Sequence, residues 1–132
     1  MIRLIFLISI AALFFQCTAE SKHSTMENKT LYGLNGKFIA KDGKGEELSQ
    51  ILLEASELMK KAEGCQLYVI GISKTNRDEI MVSEIWNSKE DHDNSLKIPG
   101  VRELIGKAIP LLNENPKKGT ETEIIGGLGI NL

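Results

Sequence analysis

Residues 83–105, SEIWNSKEDHDNSLKIPGVRELI, carry the side chains in this sequence that are best suited to chemistry on a small molecule. Trp86 is the only Trp of the chain, and His92, six residues later, is one of its two His. An imidazole gains and loses its proton near neutral pH, so His92 is a natural proton acceptor. The flat indole of Trp86 could wall or stack on an aromatic ring. Glu84, two residues before the Trp, is a second candidate base.

The same residues can also be explained by structure alone. Trp86 could be a core residue at the end of a strand, and His92 could be solvated in the first turn of a helix. Glu84 is a carboxylate in an apolar strand, and it could form a buried ion pair with Lys37 or Arg102 instead of facing a ligand. Three acids around His92 favour a helix N-terminus through its dipole. These acids are Glu90, Asp91 and Asp93.

Metal and hydrolase chemistry have little support in the sequence. Residues 90–93, EDHD, are rich in ligand atoms, but adjacent helix residues point in different directions. The chain lacks the Cys and His spacing of a zinc site and the G-x-S-x-G turn of a serine hydrolase. Its net charge is −2, without a basic stripe, so nucleic acid is not an expected partner.

Four predicted strands position these side chains. Alternation of apolar and polar residues, with turn residues between the runs, marks them. The strands cover residues 30–40, 65–73, 79–86 and 121–132. The second and third form a hairpin through a short turn. Because side chains alternate along a strand, Glu84 and Trp86 share one face, and Tyr32 and Asn35 lie on opposite faces.

The predicted helices follow from spacing and capping signals. A 3-1-3-3 spacing of apolar residues predicts an amphipathic helix over residues 46–62, ended by Gly64. Ser88 begins a short helix through an S-x-x-D capping box. Pro99 opens a further helix, which Pro110 kinks or ends. The order β-α-β-β-α-β is that of an α+β, ferredoxin-like fold with helices on one face of an antiparallel sheet.

The two hairpin strands are apolar on both faces, although helices can cover only one face of the sheet. A second copy of the chain is the simplest cover for the other face. The sequence therefore predicts a homodimer whose sheets pack face to face, as in a dimeric α/β barrel.

Residues 1–19 have the layout of a secretory signal, with an apolar run too short for the roughly 20 residues of a membrane helix. Cleavage after Ala19 and lipid modification of Cys17 both fit this segment. We therefore expect an exported protein, periplasmic or extracellular, attached to a membrane only if Cys17 carries a lipid. Residues 20–29 form a polar linker, and residues 30–132 form the folded domain.

Two motifs carry a family resemblance. The run E-x-W-x-S-x-E-x-H, beginning at Glu84, is followed by P-x-V-R-x-L, beginning at Pro99. Together with the hairpin before them and the strand after them, they resemble the antibiotic biosynthesis monooxygenase family of small dimeric α/β-barrel proteins. The resemblance covers residues 31–130 and is closest to the branch described as quinol monooxygenases.

The resemblance implies that a quinol or polyphenol is oxidised by O₂ without a metal, flavin or other cofactor. The substrate supplies the electrons once the protein has removed a proton and excluded water. The implied catalytic residues are His92, Glu84 and Asn35, although Asn35 could instead satisfy a backbone group near Gly36. The implied substrate-binding residues are Trp86, Tyr32, Tyr68 and Arg102.

The sequence departs from the family pattern at one position. Many relatives have a His nine residues after the Trp, where this chain has Ser95. Residues 101–112 contain no His that could ligate iron, which disfavours haem degradation. The alternative function is a non-catalytic exported dimer that binds an aromatic or lipid-like molecule.

Overall fold

The computed structural model of the protein describes residues 29–130. The predicted signal segment, the lipidation site at Cys17 and nearly all of the predicted linker lie outside these residues. The described chain forms four strands and three α-helices. They are β1 (Leu31–Ile39), α1 (Gly45–Met59), β2 (Cys65–Ile72), β3 (Glu79–Trp86), α2 (Lys89–Ser95), α3 (Val101–Ala108) and β4 (Thr120–Ile124). None of the described helices is long and apolar enough to cross a membrane.

The four strands form one antiparallel sheet in the order β2-β3-β1-β4. This confirms the predicted α+β, ferredoxin-like arrangement. Tyr32 on β1 lies opposite Trp86 on β3, and Glu84 on β3 lies opposite Tyr68 on β2. Since directly opposed residues project to the same face, these four side chains share the helix-covered face of the sheet.

Two apolar clusters lie between the sheet and the helices. One contains Trp86, Met59 and Val101 near the end of β3. The other surrounds the opposite end of the same face, and its buried members are Ala40, Leu48, Ile80 and Leu112. The helix-covered face therefore has a packed core at each end.

Helix α1 is held at its start by the turn between β2 and β3. Both oxygens of Asp78 accept backbone hydrogen bonds, from Gly43 N at 3.0 Å and from Gly45 N at 2.8 Å. A Cβ at Gly45 would lie 1.9 Å from the backbone oxygen of Arg77, so only glycine fits there. The helix ends at Met59, three residues earlier than predicted, and the chain leaves through a tight turn.

The predicted start of α2 is confirmed, with Ser88 as its N-cap. Ser88 Oγ accepts a hydrogen bond from the backbone nitrogen of Asp91 at 3.1 Å and donates to Asp91 Oδ2 at 2.8 Å. Asp91 is therefore a capping residue, as its position in the motif indicates. Helix α3 begins after Gly100, which has a φ of 94°, and ends in a single 3-10 turn that contains Pro110.

The last strand is shorter than predicted. It pairs with β1 over residues 120–124 and stops where Ile124 lies opposite Leu31, the first residue of β1. Beyond that point β1 offers no further backbone groups to pair with. The glycines that follow have positive φ values and lead the chain away from the sheet.

Candidate functional site

A cavity of about 310 Å³ lies between the sheet and the helices and separates the two apolar clusters. Its floor is formed by β1, β2 and β3, and its walls by α1, α2 and α3. Most of its lining is apolar, including Leu34, Phe38, Leu52, Met59, Val82, Val101, Leu104 and Ala108. Such a space suits an apolar or aromatic molecule that a few polar groups hold in a fixed orientation.

The polar groups of the cavity gather at one end. Glu84 on β3 and Tyr68 on β2 are opposed residues of the sheet. His92 and Ser95 come from α2, three residues apart, so they lie on neighbouring positions of the helix surface. The strand-to-helix connection at Ser88 is thus what brings an imidazole to the carboxylate.

The carboxylate of Glu84 is held by a hydrogen bond from the indole of Trp86. Trp86 Nε1 donates a hydrogen bond to Glu84 Oε2 over 2.9 Å, and the Trp86 side chain is fully buried. Burial raises the pKa of the Glu84 carboxyl above its ordinary value, and the bond from Trp86 and the nearby His92 partly oppose this. A carboxyl with a raised pKa in a dry site is a better proton acceptor than one in water.

His92 faces Glu84 with one ring nitrogen and Asp93 with the other. Its Nε2 lies 3.8 Å from Glu84 Oε2, and its Nδ1 lies 3.1 Å from Asp93 Oδ1. Asp93 is in turn bonded to Lys89 Nζ at 2.7 Å. An acceptor at Nδ1 favours a proton on that nitrogen, and Nε2 is the nitrogen that lies beside Glu84.

Two aromatic rings fix the orientation of the imidazole. The Trp86 ring meets it edge-on, with centroids 5.7 Å apart and an interplanar angle of 82°. The Tyr32 ring is tilted against it at 5.8 Å. His92 is only 16 % exposed, so it is not the solvated surface group that its helix position also allowed.

Tyr68 supplies a phenol beside Glu84. Burial first, and then the charge of Glu84, raise the pKa of Tyr68 well above its ordinary value. Its hydroxyl therefore stays protonated at any physiological pH and can donate a hydrogen bond to an oxygen atom in the cavity. The pKa of the neighbouring Cys65 thiol is raised by the same two causes, which keeps that group unreactive.

Three of the predicted site residues line the cavity together: Glu84, His92 and Tyr68. Trp86 and Tyr32 belong to the core cluster behind them and do not line it. The prediction that Trp86 walls or stacks on a substrate ring is therefore corrected. Its indole packs against Met59 and Val101 and acts on the site through its N–H.

Asn35 and Arg102 are not brought to this cavity. Asn35 follows Leu34 on β1, so it projects to the opposite face of the sheet, where it lines a separate depression with Lys37 and Thr120. Arg102 is exposed on α3 between the buried residues Val101 and Leu104. Neither residue lines the cavity beside Glu84.

Ser95 is a cavity residue that sequence reasoning did not assign. It is 96 % buried, lines the cavity and donates its hydroxyl hydrogen to the backbone oxygen of His92 at 2.7 Å. The sequence did single out Ser95, as the position at which the chain departs from the family pattern. The apolar stripes of α1 and α3, which predict core packing, also form a wall of the cavity.

No group of three or more His, Cys, Asp or Glu side chains within residues 29–130 is arranged to hold a metal ion. The four residues of the EDHD run make different contacts. Asp91 caps α2, Asp93 contacts His92 and Lys89, and Glu90 is exposed.

The fold and the site define a small α+β protein with an apolar cavity between sheet and helices and an acid–imidazole pair at one end of it. The sequence model of the antibiotic biosynthesis monooxygenase family matches residues 31–107. The chain belongs to this family. A search of curated proteins gave no match.

Solved structures of other proteins share this fold. A candidate antibiotic biosynthesis monooxygenase from Chloroflexus aurantiacus J-10-fl is 34 % identical, with a TM-score of 0.66, over 74 % of this chain and 95 % of that one. A conserved protein of unknown function from Bacteroides thetaiotaomicron, named as a possible oxidoreductase, is 23 % identical, with a TM-score of 0.64, over 73 % and 99 %. A candidate antibiotic biosynthesis monooxygenase from Nitrosomonas europaea is 16 % identical, with a TM-score of 0.66, over 74 % and 90 %.

Proposed function

We propose that this protein is a monooxygenase that oxidises a quinol or related polyphenol with O₂ and without a cofactor. The observation that carries the proposal is the pair Glu84 and His92, 3.8 Å apart at the polar end of an apolar cavity. Membership of the monooxygenase family supports the reaction class. The substrate and the use of O₂ are our inference from the chemistry of the site.

The Glu84–His92 pair is suited to taking a proton from a phenolic hydroxyl. Two atoms 3.8 Å apart leave room for one oxygen to lie within about 2.8 Å of both. The hydroxyl of a bound quinol would bridge them and donate its proton to the carboxylate or to Nε2. Tyr68 would donate a hydrogen bond to the same oxygen, or to the second oxygen of the ring, and stabilise the anion that forms.

The deprotonated ring is electron-rich and can reduce O₂ without help from a cofactor. A bond forms between a ring carbon and one oxygen atom, the O–O bond breaks, and the other oxygen leaves as water. One quinol and one O₂ then give one hydroxyquinone and one water. The ring supplies all four electrons that O₂ requires, and the apolar walls keep bulk water from the reactive anion.

We further propose that the working unit is a homodimer. The sheet face opposite the helices carries Val69 and Met81, which are 50 % and 40 % exposed, beside Leu67 and Ile85. Exposed apolar side chains on a sheet face are the expected signature of an interface. The export layout of residues 1–19 supports a location outside the cytoplasm.

Oxygen uptake by the purified, metal-stripped protein with a panel of hydroquinones tests the reaction. We expect consumption of one O₂ per quinol, above the autoxidation measured with a Glu84→Gln variant. Absence of uptake above that background with every hydroquinone would overturn the proposal. Quenching of Trp86 fluorescence by the same compounds without uptake would instead favour the binding module.

A further inference from the structure

The cavity extends well beyond the polar residues at its one end. Along β1 it is lined by Leu34, Gly36 and Phe38, which project to the same face. Four residue steps on a strand extend about 13 Å. Only the first row, where Leu34 lies opposite Glu84, carries polar side chains of the sheet. The two rows beyond it, opposite Val82 and Ile80, are apolar.

The middle of this apolar part is open because β1 has a glycine there. A Cβ on Gly36 would meet only the Phe38 ring, at 3.4 Å and 3.8 Å, and would otherwise project into free space. The φ of Gly36 is not positive, so the backbone does not require a glycine at this position. The missing side chain therefore provides volume on the cavity floor rather than conformational freedom.

The wall of the cavity reaches the surface at an apolar rim. Leu96, Ile105 and Ile109 all line the cavity, and they are 46 %, 42 % and 51 % exposed. Because each of them faces both the cavity and solvent, the cavity opens between α2 and α3. Three large exposed apolar side chains at an opening indicate an apolar ligand that passes or occupies it.

We infer that the substrate is amphipathic: a dihydroxy-aromatic ring that carries an aliphatic tail. This inference rests on the proposed function and names its substrate class. The ring hydroxyls meet Glu84, His92 and Tyr68, and the tail lies over Gly36 toward Phe38 and the rim. A bare ring would fill only the first row and would leave the apolar rows without a partner.

A tail-length series tests this in the wild-type protein. Methyl-, pentyl- and decylhydroquinone have the same reacting ring, and their affinities can be measured by calorimetry without O₂, so that no turnover occurs. Each buried methylene should strengthen binding by about threefold to fourfold until the cavity is full, after which the gain should cease. Equal affinity for all three compounds would overturn the inference.

Oxygen uptake with the same three compounds separates this inference from the proposed function. A rise in affinity with tail length but no oxidation would retain the ligand class and reject the oxygenase. Equal oxidation of all three, with equal kcat/KM and affinity, would retain the oxygenase and reject the tail.

A matched pair of variants locates the tail. Gly36→Val places two methyl groups on the cavity floor and should lower the ratio of decyl to methyl affinity by at least tenfold. Gly106→Val makes the same change at an exposed position of α3 with open space around it, and its ratio should match wild type. An unchanged ratio in folded Gly36→Val would place the tail elsewhere and overturn the assignment.

Discussion

The indole N–H of Trp86 donates to Glu84 Oε2 over 2.9 Å, although the two residues lie on one strand and are separated by a single residue. His92 Nε2 approaches the same oxygen. Both contacts are made by Oε2, so the indole and the imidazole hold the same oxygen of the carboxylate. The Trp thus orients the carboxylate, and its complete burial makes that orientation rigid.

Replacing Glu84 by Gln should strongly slow oxidation but preserve the fold. The amide oxygen of Gln can still accept the bond from Trp86, and the change removes a charge from a buried position. We expect kcat to fall by about 10²-fold or more, with an unchanged affinity for decylhydroquinone. Wild-type turnover in this variant would remove Glu84 from the reaction. Glu90→Gln, a carboxylate exposed on α2, serves as the matched control.

The raised pKa of Glu84 predicts a specific pH dependence of stability. Because the folded state holds this proton more tightly than the unfolded state, the Glu84 contribution to stability falls as pH rises from the ordinary carboxyl value through the raised one. The melting temperatures of wild type and Glu84→Gln should converge at acidic pH. Above this pH range, the melting temperature of the variant should rise relative to that of wild type. The pKa values of three other carboxyl groups are lowered, so their contribution to stability rises with pH, and it does so equally in both proteins. These groups are Asp93, Glu103 and Glu121. A constant difference across pH would contradict the assignment.

His92→Ala should reduce kcat by about 10²-fold, because the imidazole is one of the two candidate proton acceptors. The side chain lies beside both Glu84 and the cavity, so it either shares the proton or relays it. Asp93→Asn should have a smaller effect, because it leaves the ring in place and changes only the partner of Nδ1. Turnover at the wild-type rate in His92→Ala would show that the imidazole takes no part in proton transfer.

Trp86→Phe tests the orienting role of the indole. Loss of the bond to Glu84 should destabilise the protein by about 1–3 kcal/mol, because a buried carboxylate loses its donor. The bond lowers the pKa of Glu84, so its removal should raise that pKa further and shift the acidic limb of kcat/KM to higher pH. A merely structural Trp would change the melting temperature without moving the pH profile.

Val69→Lys with Met81→Lys should prevent dimer formation, because two charges would enter the apolar sheet face. Sedimentation equilibrium should show a dimer for wild type and a monomer for the double variant. Leu53→Lys is the matched control, since Leu53 is 45 % exposed on α1, away from the sheet. A wild-type monomer at micromolar concentration, or a dimeric double variant, would contradict the proposed assembly.

The local patterns were enough to predict most of the fold. The period of two along β3 gave its bounds and placed Glu84 and Trp86 on one face, and the S-x-x-D motif located the start of α2. Element ends were less accurate, as α1 and β4 illustrate. A strand continues only where a neighbouring strand pairs with it, and the pairing of β4 with β1 ends where Ile124 lies opposite Leu31. Its sequence pattern contained no sign of that limit.

The sequence by itself determined the strand and helix order, the faces of β1 and β3, and the residue types available for proton transfer. Only the tertiary structure decided which of them meet. The register of the sheet placed Tyr68 beside Glu84, and the packing of α2 on the end of β3 brought His92 to 3.8 Å from it. The same packing buried Trp86 behind the site and left Asn35 on the far face. Periodicity fixes how a side chain faces its own element, whereas contacts between distant elements depend on how whole apolar surfaces pack.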